Sequence, residues 1–302
     1  MAANGSRERP GGRPRVGYLG PEGTFSEEAL LTSARPASVE PVPLASIYET
    51  VTAVRDGLVR WAVVPIENSL DGSVTVTLDL LADEARGVRI VGEAQLAVRH
   101  SLIAAGRVEP AQIRTLLTHP QVPGQCARFL RTELAGARVL PASSTAQAVR
   151  TVVEEGERSQ AALGTALAAE IYGGTVIRED VQDREDNETR FVWLARAADA
   201  GGPPPLRREG GEWKTSLVFW GPGAGSPGWL VRCLAEFADR AINLTKIESR
   251  PRRERMGSDM FFADLVGHGE REPVAAAIAG VRALCDEVRV LGTYRAAPPA
   301  AA

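Results

Sequence analysis

From residue 16 onward, short apolar runs alternate with segments whose apolar positions repeat at helical spacing. VGYLG (16–20) predicts a buried strand, and GTFSEEALL after it predicts a helix start. WAVVPIENS (61–69) predicts another buried strand, running into a polar loop. VRIVGEAQLAV (88–98), TLLTHP (115–120) and RVLPA (138–142) predict further strands, and CARFLRTEL (126–134) a helix. In STAQAVRTVVEE, Ala146, Val149, Val152 and Val153 hold helical spacing, and AALGTALAAEIYG (161–173) continues the alternation. This order predicts an α/β fold with largely parallel sheets, helices on both sides, and ligands outside the carboxyl ends of strands.

The pattern breaks at AADAGGPPPLRREGGE (197–212), whose glycine, proline and charge predict a linker. It divides a first domain, 15–196, from a second, 213–295. In the second, WKTSLVFWG (213–221) predicts a strand. GWLVRCLAEFADR (228–240) predicts a helix with Leu230, Cys233, Leu234 and Phe237 on one face. NLTKIESRP (243–251) and DMFFADLVGH (259–268) predict two strands around a basic turn, EPVAAAIAGVRALCDE (272–287) a helix, and VRVLGTY a last strand. The order βαββαβ predicts a ferredoxin-like sandwich. Residues 1–14 predict a disordered tail, and AAPPAAA closes the chain as another.

Composition narrows the function. The chain has 302 residues, 44% of them apolar, enough for two cores. With 35 basic and 38 acidic residues, the net charge of −3 gives no reason to expect nucleic acid or an anionic membrane. No run is long and apolar enough to span a bilayer, and MAANGSRERPGGRPR lacks the apolar core of a secretory signal, so a cytoplasmic location is expected. Cys126, Cys233 and Cys285 are widely spaced in sequence, and His100, His119 and His268 have no ligand spacing. Neither a disulfide framework nor a metal site is expected, and Cys126 reads as a buried thiol.

Four polar stretches fall at strand ends. In GPEGTFSEEA (20–29), Thr24 and Glu27 have capping-box spacing, and the same helix start could cradle an anion on free N–H groups. In PIENSLDGSV (65–74), turn chemistry explains Asp71–Gly72 but accounts less well for Glu67, Asn68 and Ser69. In ASSTAQAV (142–149), Ser144 and Gln147 again fit a capping box, while Ser143, Ser144 and Thr145 place three hydroxyls at a helix start. The fourth, DNETRFVWLA (186–195), takes Thr189 and Arg190 into an apolar run. In an extended strand these two face opposite sides, and Arg190 would pair with a protein acid such as Asp186 or Glu188. A kink would let both reach one ligand. Hydroxyls, amides and an arginine, without a metal set or a nucleotide-binding glycine fingerprint, suit a small polyanion and a reaction that needs no cofactor.

GPEGTFSEEA, PIENSLDGSV, HPQVPGQC (119–126), SSTAQAV and NETRF (187–191), in this order, resemble the prephenate dehydratase family, and INLTKIESRP (242–251) resembles the ACT regulatory domain that follows in that family. The resemblance implies a bilobal catalytic domain like periplasmic solute-binding proteins. One lobe would hold about 15–98 and 183–196, the other about 99–182, with the active site in the cleft between them. The implied reaction is the decarboxylating dehydration of prephenate to phenylpyruvate. On this reading Thr189 is catalytic, and Arg190 is a catalytic carboxylate clamp. Gly23, Thr24, Asn68, Ser69, Ser144, Thr145 and Phe191 would bind substrate. A decarboxylase that keeps the ring hydroxyl, and a non-catalytic amino-acid sensor, are the competing readings.

The ACT resemblance implies control by L-phenylalanine and assembly as a homodimer or homotetramer. The effector-binding residues would be Gly228, Trp229, Leu230, Asn243, Leu244, Glu248, Ser249, Arg250 and Pro251. Trp229 stands where the family has a small residue, and its bulk could fill the effector's space.

Overall fold

Two sheets account for the alternating first part of the chain. They belong to a computed structural model that describes residues 12–199, 204–207, 210–222, 225–253 and 257–297. The tail expected over 1–14 therefore lies almost entirely outside the described residues, as do parts of the expected linker, the basic turn and the closing tail.

The first sheet is built from β1 (Arg15–Leu19), β2 (Glu40–Leu44), β3 (Trp61–Asn68), β5 (Val88–Ala97) and β11 (Glu188–Arg196), in the order β2-β1-β3-β11-β5, with the short β4 (Gly72–Ser73) paired to β3. Helices α1 (Phe25–Ser33), α2 (Ile47–Arg55) and α3 (Thr75–Ala82) pack on it. The second sheet, in the order β10-β6-β9-β7-β8, contains β6 (Ser101–Ala104), β7 (Thr115–Thr118), β8 (Arg138–Pro141), β9 (Gln160–Gly164) and β10 (Thr175–Arg178). It carries α4 (Val122–Gln125), α5 (Ala127–Glu133), α6 (Thr145–Glu155) and α7 (Ala166–Tyr172).

Both sheets are mixed, which corrects the largely parallel arrangement expected from strand–helix alternation. β1 pairs in parallel with β2 and β3, but β11 is antiparallel to both β3 and β5. β11 is the return strand. The chain leaves the first sheet after β5, builds the second, and comes back between β3 and β5. At the crossing the two passes bond to each other, Val98 N to Asn187 O at 2.7 Å and Val181 N to His100 O at 2.9 Å. The predicted helix at 126–134 instead starts at Val122 and breaks at Cys126 into α4 and α5. The pattern did not announce β2, α2 or α3. β2 carries two prolines, which an edge strand tolerates because its outer N–H groups need no partner.

Local signals explain the element ends. Ser144 Oγ accepts from Gln147 N at 3.0 Å at the start of α6, and Gly156, in the left-handed region at φ 68°, closes it. Ala146, Val149 and Val152 are fully buried on the face that α6 turns to its sheet. Burial of such a valine contributes about 1.5–3 kcal/mol.

The rest of the chain forms β12 (Trp213–Trp220), α8 (Trp229–Ala238), β13 (Leu244–Pro251), β14 (Asp259–Val266), α9 (Val274–Leu284) and β15 (Glu287–Arg295). The antiparallel sheet has the order β13-β14-β12-β15, the ferredoxin-like βαββαβ arrangement. Its helices cover one face through Phe219, Trp229, Cys233, Phe237 and Ile278. Its other face shares a core with the first sheet, where Val218, Trp220, Phe262 and Leu291 meet Leu81, Ile90, Val192 and Leu194. β15 crosses β5 so closely that a Cβ at Gly292 would strike the Ile90 carbonyl. Cys233 and Cys285, distant in sequence, are brought to 3.7 Å between their sulfurs as free thiols. No helix among the described residues is long and apolar enough to cross a membrane.

Candidate active site between the lobes

A cleft of about 500 Å³ lies between the two sheets. Thr24, Asn68, Ser144, Thr145, Thr189 and Phe191, all expected from the sequence to bind or react, lie on its walls. Thr189 stands near the start of β11, opposite Asn68 of β3. Asn68 Nδ2 donates to Thr189 Oγ1 at 2.9 Å and also to Asn187 Oδ1 at 2.9 Å. The amide cannot turn over, because Asn68 Oδ1 accepts from Leu70 N and Asp71 N, both at 2.9 Å. Thr189 Oγ1 thus accepts a fixed bond, and among the described residues nothing accepts its proton. A hydroxyl held this way has its O–H left for a ligand.

The walls contain no arginine or lysine among the described residues. Helix starts supply the positive potential instead. α1, α3 and α6 all begin on the cleft, at Phe25, Thr75 and Thr145. Thr24 and Ser144 cap the third N–H of their helices, from Glu27 and Gln147, so the helix-cap reading of both residues holds. The N–H groups of Phe25, Ser26, Thr75, Val76 and Thr145 have no partner among the described residues. α3 has no side-chain cap at all. Three helix N-termini facing one cavity favour carboxylates by free N–H donors and by the helix dipole.

Gly23 and Ser69 do not line the cleft. Gly23, at φ +82°, presses against α7, where a Cβ would come within 2.8 Å of Ala168 Cα. Its carbonyl accepts from Thr165 Oγ1 at 2.7 Å, and the neighbouring Glu22 carbonyl accepts from Tyr172 Oη at 2.8 Å. These bonds clasp the lobes at one rim, and Gln125 Nε2 clasps the other by donating to Asp71 Oδ2 at 3.2 Å. Ser69 Oγ donates to Asp186 O and accepts from Glu188 N, which ties the return strand to the loop after β3.

Arg190 requires a correction. No kink brings it to the cleft: it follows strand alternation and faces the opposite side from Thr189, with 9% exposure. Asp186 and Glu188 are not its partners either. Nε donates to Glu93 Oε2 at 2.9 Å, Nη1 to Glu67 Oε2 at 3.2 Å and Nη2 to Tyr294 Oη at 3.1 Å. Asp264 Oδ2 lies 2.7 Å from Nη2, outside hydrogen-bond geometry, so that contact is an ion pair. Burial alone would lower the Arg190 pKa, but Tyr294, Asp264 and Glu93 outweigh it and hold it well above its usual value. A guanidinium so occupied has no free edge for a substrate carboxylate.

Sequence reasoning overlooked His100, Gln125 and Asn187. His100 Nε2 meets Gln125 Oε1 at 2.9 Å, and Asn187 Nδ2 donates to the same oxygen at 3.4 Å. With Gln125 Nε2 committed to Asp71, Oε1 accepts from His100, so the imidazole carries its proton on Nε2. The ring is buried edge-on to Phe25, and burial lowers its pKa, which keeps it neutral. Its Nδ1 is buried without a partner. Gln125 lies inside HPQVPGQC, where it was not singled out. Cys126 is fully buried, and burial pushes its thiol up to about 12, outside any nucleophilic role at neutral pH.

Of the nine expected effector residues, Gly228, Trp229 and Leu230 line a second cavity of about 370 Å³, together with Asp259 and Phe261. The Trp229 indole turns into its own domain's core, 5.8 Å from Phe261, and donates to Leu284 O at 2.6 Å. Glu248 and Arg250 face the first domain instead. Glu248 pairs with Lys246 at 3.0 Å, and Arg250 pairs with Asp79 of α3 at 2.9 Å. Asn243 gives its carbonyl to Val266 N at 2.9 Å, Leu244 packs on the helix side, and Ser249 and Pro251 are exposed on β13.

The family model for prephenate dehydratase matches residues 16–199. The prephenate dehydratase of Mycobacterium tuberculosis (strain ATCC 25618 / H37Rv) is 40% identical over 296 residues, covering 95% of this chain and 89% of that protein. The crystal structure of the Arthrobacter aurescens prephenate dehydratase in complex with L-Phe is similar at a TM-score of 0.82 and 35% identity, over 93% of this chain and 89% of that one. GqqA, a quorum quenching acylase, is similar at a TM-score of 0.81 and 31% identity, over 94% and 98%.

Proposed function

The chain belongs to the prephenate dehydratase family and converts prephenate to phenylpyruvate, carbon dioxide and water; we propose that it does so in the interlobe cleft, with Thr189 assisting the departing hydroxyl. The observation that carries this assignment is the Thr189 hydroxyl, held by Asn68 with its proton uncommitted, on the wall of a cleft ringed by helix N-termini.

The bond to the ring carboxylate breaks, and its electron pair shifts through a ring double bond to expel hydroxide from the para carbon. One proton taken up converts that hydroxide to water, and the ring becomes aromatic. Threonine is too weak an acid to surrender its proton early. Its hydrogen bond to the leaving oxygen strengthens as charge builds there, which stabilises the transition state more than the ground state. The helix starts hold the two carboxylates. Clasping of the rims excludes water, and the dry site favours loss of the ring carboxylate as a neutral gas. The machinery consists of side chains and backbone amides, and no cofactor is required.

The unit 213–295 acts as an ACT regulatory domain and takes L-phenylalanine, as the Arthrobacter aurescens relative does. Its ferredoxin-like topology and the cavity at Gly228–Leu230 support this. Val231 and Ile247, exposed on the helix side of the same domain, supply an apolar surface for a homodimer or homotetramer. The enzyme works in the cytoplasm.

The test mixes the protein with prephenate and follows phenylpyruvate by its absorbance in base, with and without phenylalanine. Product that disappears in Thr189→Val supports the assignment. No product from the wild type, with tight phenylalanine binding, would favour an amino-acid sensor instead.

A further inference from the structure

Thr189 and Arg190 are consecutive on β11, and their cross-strand partners Asn68 and Glu67 are consecutive on β3. One pair lies in the cleft, the other at the contact between the two domains. Any movement of Arg190 against Glu67 is therefore felt one residue away, where Asn68 holds Thr189. Next to these pairs β3 carries one extra residue, Ile66, between the partners of Arg190 and Phe191, a bulge of the kind that re-aims neighbouring side chains.

Arg190 is fastened from three directions: Glu67 on β3 to one side, Glu93 on β5 to the other, and Asp264 with Tyr294 from the second domain above. The side chains of Glu93 and Asp264 are 1% and 6% exposed. The second domain reaches the same cluster again through Lys214, 2.9 Å from Glu93, and Lys246, 3.1 Å from Glu67. Ser216 completes the far side by donating to Asp264 Oδ1 at 2.5 Å and sharing a 2.7 Å bond with Tyr294 Oη. None of these groups touches the cleft. Buried charges arranged this way are costly unless every member is in place, so the cluster has a sharply defined geometry.

We propose that Arg190 is a positioning residue through which Asp264 and Tyr294 of the second domain set the placement of Thr189, so that the regulatory unit acts on the rate of the reaction through this contact. The inference rests on the dehydratase reading of the cleft. It assigns Arg190 a role in the domain contact in place of the substrate clamp. It also gives the Glu248 stretch a route to the site: Glu248 pairs with Lys246, Lys246 with Glu67, and Glu67 adjoins Asn68.

The experiment compares wild type, Asp264→Asn, Asp264→Glu, Tyr294→Phe and Arg86→Gln as full chains, with kcat corrected for the folded fraction. Asp264→Asn keeps the shape and the Ser216 contact but removes the charge facing Arg190. Its kcat is expected to fall about 10²-fold with KM for prephenate unchanged, the signature of a misplaced reacting group. Asp264→Glu should recover part of that loss, and inhibition by phenylalanine should weaken in Asp264→Asn. Arg86→Gln removes a different, half-exposed pair across the same contact, Arg86 with Glu287 at 3.5 Å, and should leave kcat as it is. A kcat in Asp264→Asn within twofold of the wild type would overturn the proposal while leaving the dehydratase activity established by the wild-type control. Equal losses in Asp264→Asn and Arg86→Gln would overturn it too, as a general weakening of the contact. If Asp264→Asn does not fold, Tyr294→Phe decides: a severalfold fall in kcat at constant KM supports the proposal, and wild-type kcat overturns it. If the wild type itself makes no phenylpyruvate, the dehydratase reading falls and takes the proposal with it.

Discussion

Asn68 Nδ2 points at Thr189 Oγ1 across 2.9 Å, and the backbone N–H groups of Leu70 and Asp71 forbid the amide to flip. A donor locked onto the threonine oxygen leaves the hydroxyl proton free to be offered to a ligand. Thr189→Val keeps the shape and removes that proton. Asn68 retains Asn187 Oδ1 as an acceptor, so the fold loses little. We expect kcat to fall about 10²–10⁴-fold, with prephenate binding, read by calorimetry, close to wild type. Thr189→Ser should keep a measurable fraction of the rate. Full activity in the valine variant would remove Thr189 from the mechanism.

Gly23 sits where the lobes touch. A Cβ would lie 2.8 Å from Ala168 Cα and 2.9 Å from its Cβ, and the residue is at φ +82°. Gly23→Ala meets both a left-handed backbone cost of about 1–2 kcal/mol and a collision with α7. The collision falls on the contact between the lobes, where Gly23 and Ala168 touch. We expect kcat/KM to drop about 10–10²-fold, with a loss of unfolding free energy at least as large as the backbone cost. A variant with wild-type kcat/KM would show that the two lobes need not approach this closely.

What the chain disclosed in advance followed from periodicity and capping. Ser144 and Thr24 begin helices because a side-chain oxygen reaches the third N–H, a relation of spacing alone. Alternation put Thr189 and Arg190 on opposite faces, and the clamp expected of Arg190 failed because β11 keeps regular register with β5 through Arg190, the extra residue of the bulge there lying on β3. α3 begins at Thr75 without any capping side chain, so its open N-terminus on the cleft carried no sequence signature. His100, Gln125 and Asn187 converge from both lobes and the crossing between them, which is tertiary information. The partners of Arg190 did leave a trace: Glu93 stands between Gly92 and Ala94 in β5, and Asp264 between Ala263 and Leu265 in β14. A charge in such a position has to meet a counter-charge. Only the fold says that one arginine serves both.

His100 makes stability depend on pH. Burial lowers its folded-state pKa, while the unfolded chain titrates near 6.5. The unfolded state therefore binds the proton more readily. The contribution from His100 is complete above about pH 6.5 and is lost as pH falls toward the folded value. Urea unfolding of wild type and His100→Gln at pH 7.5, 6.5 and 5.5 should show the wild type losing more stability on acidification than the variant. Parallel curves would mean that another group governs this window.

Trp229 supplies the last expectation, because its indole both fills the second domain's core and borders the proposed phenylalanine cavity. Its ring packs 6.2 Å from Phe219 and 5.8 Å from Phe261, and its N–H ends on Leu284 O. Truncation to alanine should cost about 3–5 kcal/mol of unfolding free energy, enough to blur any binding measurement. Trp229→Phe is the informative change, since it keeps an aromatic body and releases only the indole contact. A smaller ring widens the cavity and loosens the wall an effector would lean on, so phenylalanine should bind more weakly. The readout is the rise in Tm that phenylalanine produces in each protein, because a ligand that binds only the folded state stabilises it by mass action. The wild type should gain more than the variant at equal phenylalanine. A larger gain in Trp229→Phe would instead mean that the indole occupies the very space the effector uses, and that tryptophan at this position limits binding.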